Sequence, residues 1–157
     1  MIDIDVRTLS ARVGEEIAVS DWLEVTQARI DQFADATGDR QWIHVDPLRA
    51  AAELPSRSTI AHGFLTLSLL STLIRDSIQF TGLRMAINYG LNRVRFVSPV
   101  PSGSRIRALI TLQPVDAVSG GYQVTWQVTI ERESGDKPAC VADWIVRYYP
   151  ASQPPNP

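Results

Sequence analysis

Asp39 and His44 are the pair whose residue types and spacing most readily support chemistry. The stretch GDRQWIHVDP, residues 38 to 47, sets a carboxylate five positions before one of the chain's two histidines. A carboxylate accepts hydrogen bonds, and an imidazole accepts or donates them near neutral pH. Together they can grip one water molecule and move its protons. Taken singly, each residue has an ordinary structural use, since Gly-Asp is a common turn former and a lone histidine is usually structural. The pair, in register with the signals around it, carries the reading.

Those signals are helix ends. Thr26 suits an N-cap, with Val25 before it and Ile30 at the staple position. Ile30, Phe33, Ala34 and Thr37 mark one face of the helix that follows, and Gly38 stops it at C′. A second start comes at once, with Asp46 as N-cap and Pro47 as the first helical residue before LRAAAE. Between Gly38 and Asp46 the spacing predicts an irregular loop, held at both ends by caps, that carries Asp39 and His44.

The next segment, HGFLTLSLLSTLIRDSIQF, is rich in helix formers and apolar on nearly every face as far as Ile74. Such a helix is expected to be buried on all sides, which makes it a central helix. From Arg84 the period becomes two. Met85, Ile87, Tyr89 and Leu91 share one face, and the phase then slips to Val94 and Phe96, which predicts a bulge near Gly90 to Arg93. Ile106, Ala108, Ile110 and Leu112 alternate next, followed by Tyr122, Val124, Trp126, Val128 and Ile130. Cys140, Ala142, Trp144, Val146 and Tyr148 mark a last strand, and a weaker early one spans Glu16 to Val25. Trp126 and Trp144, on apolar faces, are expected in the core. Helices first and four long strands after them argue for an α+β architecture. One antiparallel sheet wrapped around one long central helix satisfies both apolar surfaces, and that arrangement is the hot-dog fold.

Bulk properties restrict the partners. At 157 residues the chain suits one domain, taken here as 1–150, with the Pro-rich ASQPPNP, 151–157, as a disordered tail. A net charge of −2 offers no basic field for nucleic acid. The apolar stretch from Phe64 to Ile74 is too short for a membrane span of about 20 residues. MIDIDVRTLS has no secretory pattern, and the lone Cys140 fits a reducing interior, so a cytoplasmic location is expected.

FADATGDRQWIHVDPLRAA followed by TIAHGFLTLSLLS resembles the MaoC-like family of (R)-specific enoyl-CoA hydratases and dehydratases. The shared pattern is Gly38-Asp39, an apolar residue before His44, Asp46-Pro47, and Ala61-His62-Gly63 opening the central helix. INYGLNRVRFVSPVPSGSRIR matches the family's strand, turn and next strand, and the likeness runs roughly from Gly14 to Tyr149. The family usually has Asn-Pro just before the histidine region, where this chain has Gln41-Trp42. The resemblance implies reversible hydration of trans-2-enoyl thioesters to (R)-3-hydroxyacyl thioesters, with Asp39 and His44 catalytic. The residues fit that chemistry: water must lose a proton as it attacks Cβ, Cα must gain one, and charge on the thioester oxygen must be stabilised. The Gly63 N–H, at the start of the central helix, is the candidate oxyanion donor. Transfer from the family adds Ser71 as a polar substrate contact, and His62 is assigned to the same group, orienting the loop or helix start.

Arg84, Arg93, Arg95 and Arg105 can hold coenzyme A phosphates or simply face solvent. His44 and Asp46 have no third ligand spaced for a metal, and no cofactor is expected, coenzyme A being part of the substrate. The partners expected are an acyl-CoA or acyl-carrier thioester and a second copy of the chain in a homodimer. Two alternatives stay open on the same fold. One is a thioesterase, with the held water attacking the acyl carbonyl, and the other is a non-catalytic acyl-thioester-binding subunit.

Overall fold

Two successive caps fix the first half of the chain in the computed structural model, which describes residues 1–151. Helix α1, Gln27–Thr37, starts at Thr26, whose side chain accepts from the Arg29 N–H, and ends at Gly38 with φ of +79°. Helix α3, Pro47–Glu53, starts at Asp46, whose carboxylate accepts from the Arg49 N–H. Both ends fall where the capping signals placed them. The segment between is more ordered than expected, because Trp42–Val45 forms a short helix, α2, that carries His44. The Arg49 guanidinium lies 4.1 Å over the Trp42 ring and pins α2 to α3.

The central helix runs as two pieces, α4 (Gly63–Ser68) and α5 (Leu70–Ser77), joined at Leu69. The carbonyl of Leu69 accepts from both Thr72 and Leu73 N–H groups, so the break is one tightened turn rather than a separation. Leu65, Leu69, Leu70, Leu73 and Ile74 are buried, as an apolar core helix requires. Burial on all sides does not hold. Phe64, Ser68, Ser71 and Arg75, spaced at helical intervals, form an exposed stripe, because the sheet covers only the other flank.

The helix gives way at Ile78, and residues 78–80, expected as helix, belong instead to strand β4, Ile78–Thr81. It pairs in parallel with an unexpected N-terminal strand, β1, Ile2–Asp5. This pairing joins segments more than 70 positions apart, so local pattern could not show it. The early strand is present as β2, Glu16–Val19, and β3, Leu23–Glu24.

Four long strands follow: β5 (Leu83–Phe96), β6 (Arg105–Val118), β7 (Gly121–Arg132) and β8 (Cys140–Pro150). The sheet order is β2-β6-β7-β8-β5, with β3 also on β6, and every pairing in it is antiparallel. Ile106, Ala108, Ile110 and Leu112 are all 0% exposed, as are Val124 and Trp126 on β7, so the period-two faces are the core. Removing a side chain as large and as buried as Trp126 costs about 3–5 kcal/mol. The α+β, hot-dog architecture is therefore the one observed.

Strand β5 departs from its pattern. Its register shifts three times, between Leu83 and Met85, between Asn88 and Gly90, and between Asn92 and Arg95, where Arg93 takes φ of +50°. Ile87 pairs with Arg147 and stands on the outer face with Met85 and Tyr89, whereas Leu91 pairs with Trp144 and points inward. Leu91 thus leaves the face expected for it, because the bulge between Asn88 and Gly90 comes one repeat early. Ala151, the first residue of the expected tail, bonds to Gly82, and the rest of that segment, 152–157, lies outside the described residues. Among the described residues no helix is long and apolar enough to cross a membrane.

Candidate active site

Four separate segments meet around His44. Its backbone carbonyl accepts a 2.8 Å hydrogen bond from Gln27 Nε2 on α1, and the other end of the Gln27 amide bonds to the Thr59 hydroxyl. Its Nδ1 lies 2.6 Å from the carbonyl of Ile60. A carbonyl only accepts, so Nδ1 carries the hydrogen and Nε2 is left with a lone pair. His44 is 7% exposed, and burial holds its pKa below the ordinary 6.5. The Ile60 carbonyl and the Asp39 charge oppose that shift, and the neighbouring His62 adds to it. The result is a neutral imidazole with one free basic nitrogen.

His62 supports this arrangement from beneath. Its ring stacks on that of His44 at 3.7 Å between centroids, and Phe33 packs against it at 5.0 Å. His62 Nε2 donates to the backbone carbonyl of Asp39 at 2.9 Å, which anchors the loop exactly where α1 ends at Gly38. At 3% exposure its ring is a buried positioning group, so the expected part in orienting the loop fits its place better than contact with a ligand. The Asp39 side chain is exposed, and its carboxylate and ring nitrogens of both histidines lie within 4.8 Å of one another. A water making two hydrogen bonds of about 2.8 Å can bridge such a gap.

The spacing argument against a metal fails in space, because His62 supplies the third donor that the sequence lacked near His44. The geometry of this trio nevertheless suits water better than an ion. One nitrogen of each histidine is engaged by a carbonyl, and the rings lie nearly parallel, 25° apart. Their in-plane lone pairs therefore run side by side instead of converging on a tetrahedral centre. Asp46, the other acid considered, is occupied as a helix cap.

Gly63 and His44 line one cavity of about 260 Å³, together with Ile60, Ala61, Thr66 and Phe96. As the first helical residue of α4, Gly63 has an N–H without an acceptor inside the helix. A β-carbon on Gly63 would lie 2.8 Å from the Phe96 ring, so glycine is required there by close approach. Ser71 is not part of this cavity. It lines two others, of about 280 and 340 Å³, which share Asn88 and Trp144 and form a groove between α5 and β5. Trp144, although only 9% exposed, gives that groove its wall, while Trp126 is fully buried with its Nε1–H donated to the Tyr148 hydroxyl.

None of Arg84, Arg93, Arg95 and Arg105 lines the cavity around His44. Arg105 pairs with Glu133 and Arg93 with the nearly buried Asp143, so both are engaged in ion pairs on the sheet. Gln27, Phe33, the Ile60 carbonyl and Phe96 were missed by sequence reading. Two of them left a signal, Phe33 on the apolar face of α1 and Phe96 as the apolar residue beyond the phase slip in β5.

A model of the MaoC-like domain matches residues 8–133 of the chain. The 3-hydroxyacyl-thioester dehydratase Z of Mycobacterium tuberculosis is 54% identical over 144 residues, covering 91% of this chain and 95% of that protein. Nodulation protein N of Rhizobium leguminosarum bv. viciae is 44% identical over 163 residues, covering 98% of each. Among solved structures, an R-hydratase of Pseudomonas aeruginosa in its unliganded form superposes with a TM-score of 0.68 at 22% identity. It covers 92% of this chain and 91% of that one.

Proposed function

The chain belongs to the MaoC-like domain family, and from that premise we propose that it is a hydro-lyase acting reversibly on trans-2-enoyl thioesters to give (R)-3-hydroxyacyl thioesters. The observation that carries this reading is the free Nε2 of a neutral His44 beside the Asp39 carboxylate, with His44 and Gly63 on one cavity. The name of the M. tuberculosis relative supports it.

In the hydration direction, Asp39 and His44 hold one water over Cβ. As its oxygen bonds to Cβ, one proton passes to His44 Nε2 and the Cα=Cβ electron pair moves toward the thioester oxygen, forming an enolate. The Gly63 N–H stabilises that oxygen. The imidazolium, paired with Asp39, then returns its proton to Cα and restores the carbonyl, so both elements of water arrive from the same side. The reaction draws on no redox group or metal, and coenzyme A or a carrier belongs to the substrate.

The same reading includes a homodimer acting in the cytoplasm. Strand β5 is an edge strand of the sheet, and Met85, Ile87, Tyr89 and Leu91 along it are each 39–55% exposed. An edge of that length and character favours pairing with another copy.

Absorbance of the conjugated thioester on addition of enzyme to crotonyl-CoA tests the activity, and its loss is the expected result. Thiol release from a saturated acyl-CoA without loss of that absorbance would point to the thioesterase instead. Thermal stabilisation by either ligand without turnover would point to a binding subunit.

A further inference from the structure

The cavity shared by His44 and Gly63 has one large aromatic wall. We propose that Phe96 decides whether a substrate can carry a substituent on Cα, admitting a hydrogen there and excluding a methyl group. This assignment rests on the hydratase reading above.

Phe96 ends β5, directly after the bulge in which Arg93 takes its positive φ, and it pairs with the inward-facing Cys140. Its ring is wedged against the start of the central helix. The position of a Gly63 β-carbon is 2.8 Å from both Cγ and Cδ2 of Phe96 and 3.0 Å from Cε2, so the ring lies flat on the glycine. Phe64 meets it edge-on, with centroids 5.8 Å apart and planes at 69°. The ring is therefore held on two sides while remaining 46% exposed, unlike a core aromatic such as Trp126.

Substrate connectivity places Cα beside it. The thioester oxygen is anchored at the Gly63 N–H and Cβ at the water held by Asp39 and His44. Cα is the one atom between the carbonyl carbon and Cβ, so it is fixed between these anchors. Of the side chains on the cavity, Phe96 is the bulkiest apolar one and is the one packed on the first anchor. A 2-methyl group projecting from Cα meets its ring, whereas extra length beyond Cβ does not.

The test compares kcat/KM for crotonyl-CoA and for tigloyl-CoA, which differ by one methyl group on Cα. The wild-type protein is expected to prefer crotonyl-CoA by about 10- to 200-fold, the range for one methylene-sized group in an apolar pocket. Phe96→Ala should shrink that ratio by about tenfold or more, and Phe96→Leu by less. Phe96 is half exposed, so these truncations leave the core intact. Gly63→Ala keeps the amide but drives a β-carbon into the ring, so it should slow both substrates, and adding Phe96→Ala should restore part of the loss. Equal use of the two substrates by the wild type overturns the assignment. So does a ratio unchanged in both Phe96 variants while crotonyl-CoA is still hydrated, which leaves the hydratase reading intact. Failure of the wild type to hydrate crotonyl-CoA overturns both.

Discussion

The two flanks of the central helix are built on opposite plans. At its start, His44 and His62 are nearly buried, stacked on each other, and tied through Ile60, Asp39 and Gln27 to three other segments. Along its side, the groove between α5 and β5 is open and apolar, with Ser71 and Asn88 as polar points on its wall. The first region holds a base in one tautomer and one charge state, which requires low mobility and a dry backing. The second has no such covering of its own. On the proposed function, the contrast separates proton transfer, assigned to the buried pair, from holding an acyl chain, assigned to the open groove.

The largest effects should come from the first region. Asp39→Asn and His44→Gln are each expected to lower kcat by about 10²–10⁴, the usual size of an acid–base contribution, read from enoyl-CoA absorbance. Losses below about threefold in both would erase the distinction between the two flanks. The next effect belongs to the groove. Ser71→Leu should raise KM for a long-chain enoyl-CoA by about tenfold while changing crotonyl-CoA far less. Equal effects on both lengths would place the groove outside the acyl path.

The edge of β5 gives a qualitative test of closure. Light scattering should show twice the chain mass of 17.4 kDa for the wild type and the single mass for Met85→Lys/Ile87→Lys. A wild type at the single mass would require some other cover for the groove. A smaller effect concerns charge. The His44 ring, followed by NMR, should titrate below 6.5, and Asp39→Asn should lower it further because the carboxylate raises it. His62→Asn should move it up, since His62 lowers it. With the folded pKa below the unfolded one, stability should fall as pH drops through 6.5 toward the folded value, where the unfolded chain binds more protons. The smallest change expected is about 1 kcal/mol of stability on Asp46→Ala, a lost helix cap, read as a fall in Tm.

Much of this was legible in the residues because it depends on neighbours along the chain. Thr26, Gly38, Asp46 and Pro47 fixed the helix ends that flank Asp39 and His44, since capping is settled within one turn. The alternation in β6, β7 and β8 named the buried face correctly, because period-two burial is a local property of a strand. In β5 the same pattern misled at Leu91, since a bulge moves side chains between faces without changing their order. The central helix read as buried all round, but composition cannot tell a flank against the sheet from a flank left to a groove.

The sequence by itself determined which residues carry acid–base capacity and which segment between two capped helices presents them. Only the tertiary structure decided their state. Folding brought the Ile60 carbonyl to Nδ1 of His44, the His62 ring beneath it and Phe96 onto Gly63, all contacts across many positions. Tautomer, charge and cavity walls follow from what surrounds a group in space, and those surroundings exist only once distant segments are packed together.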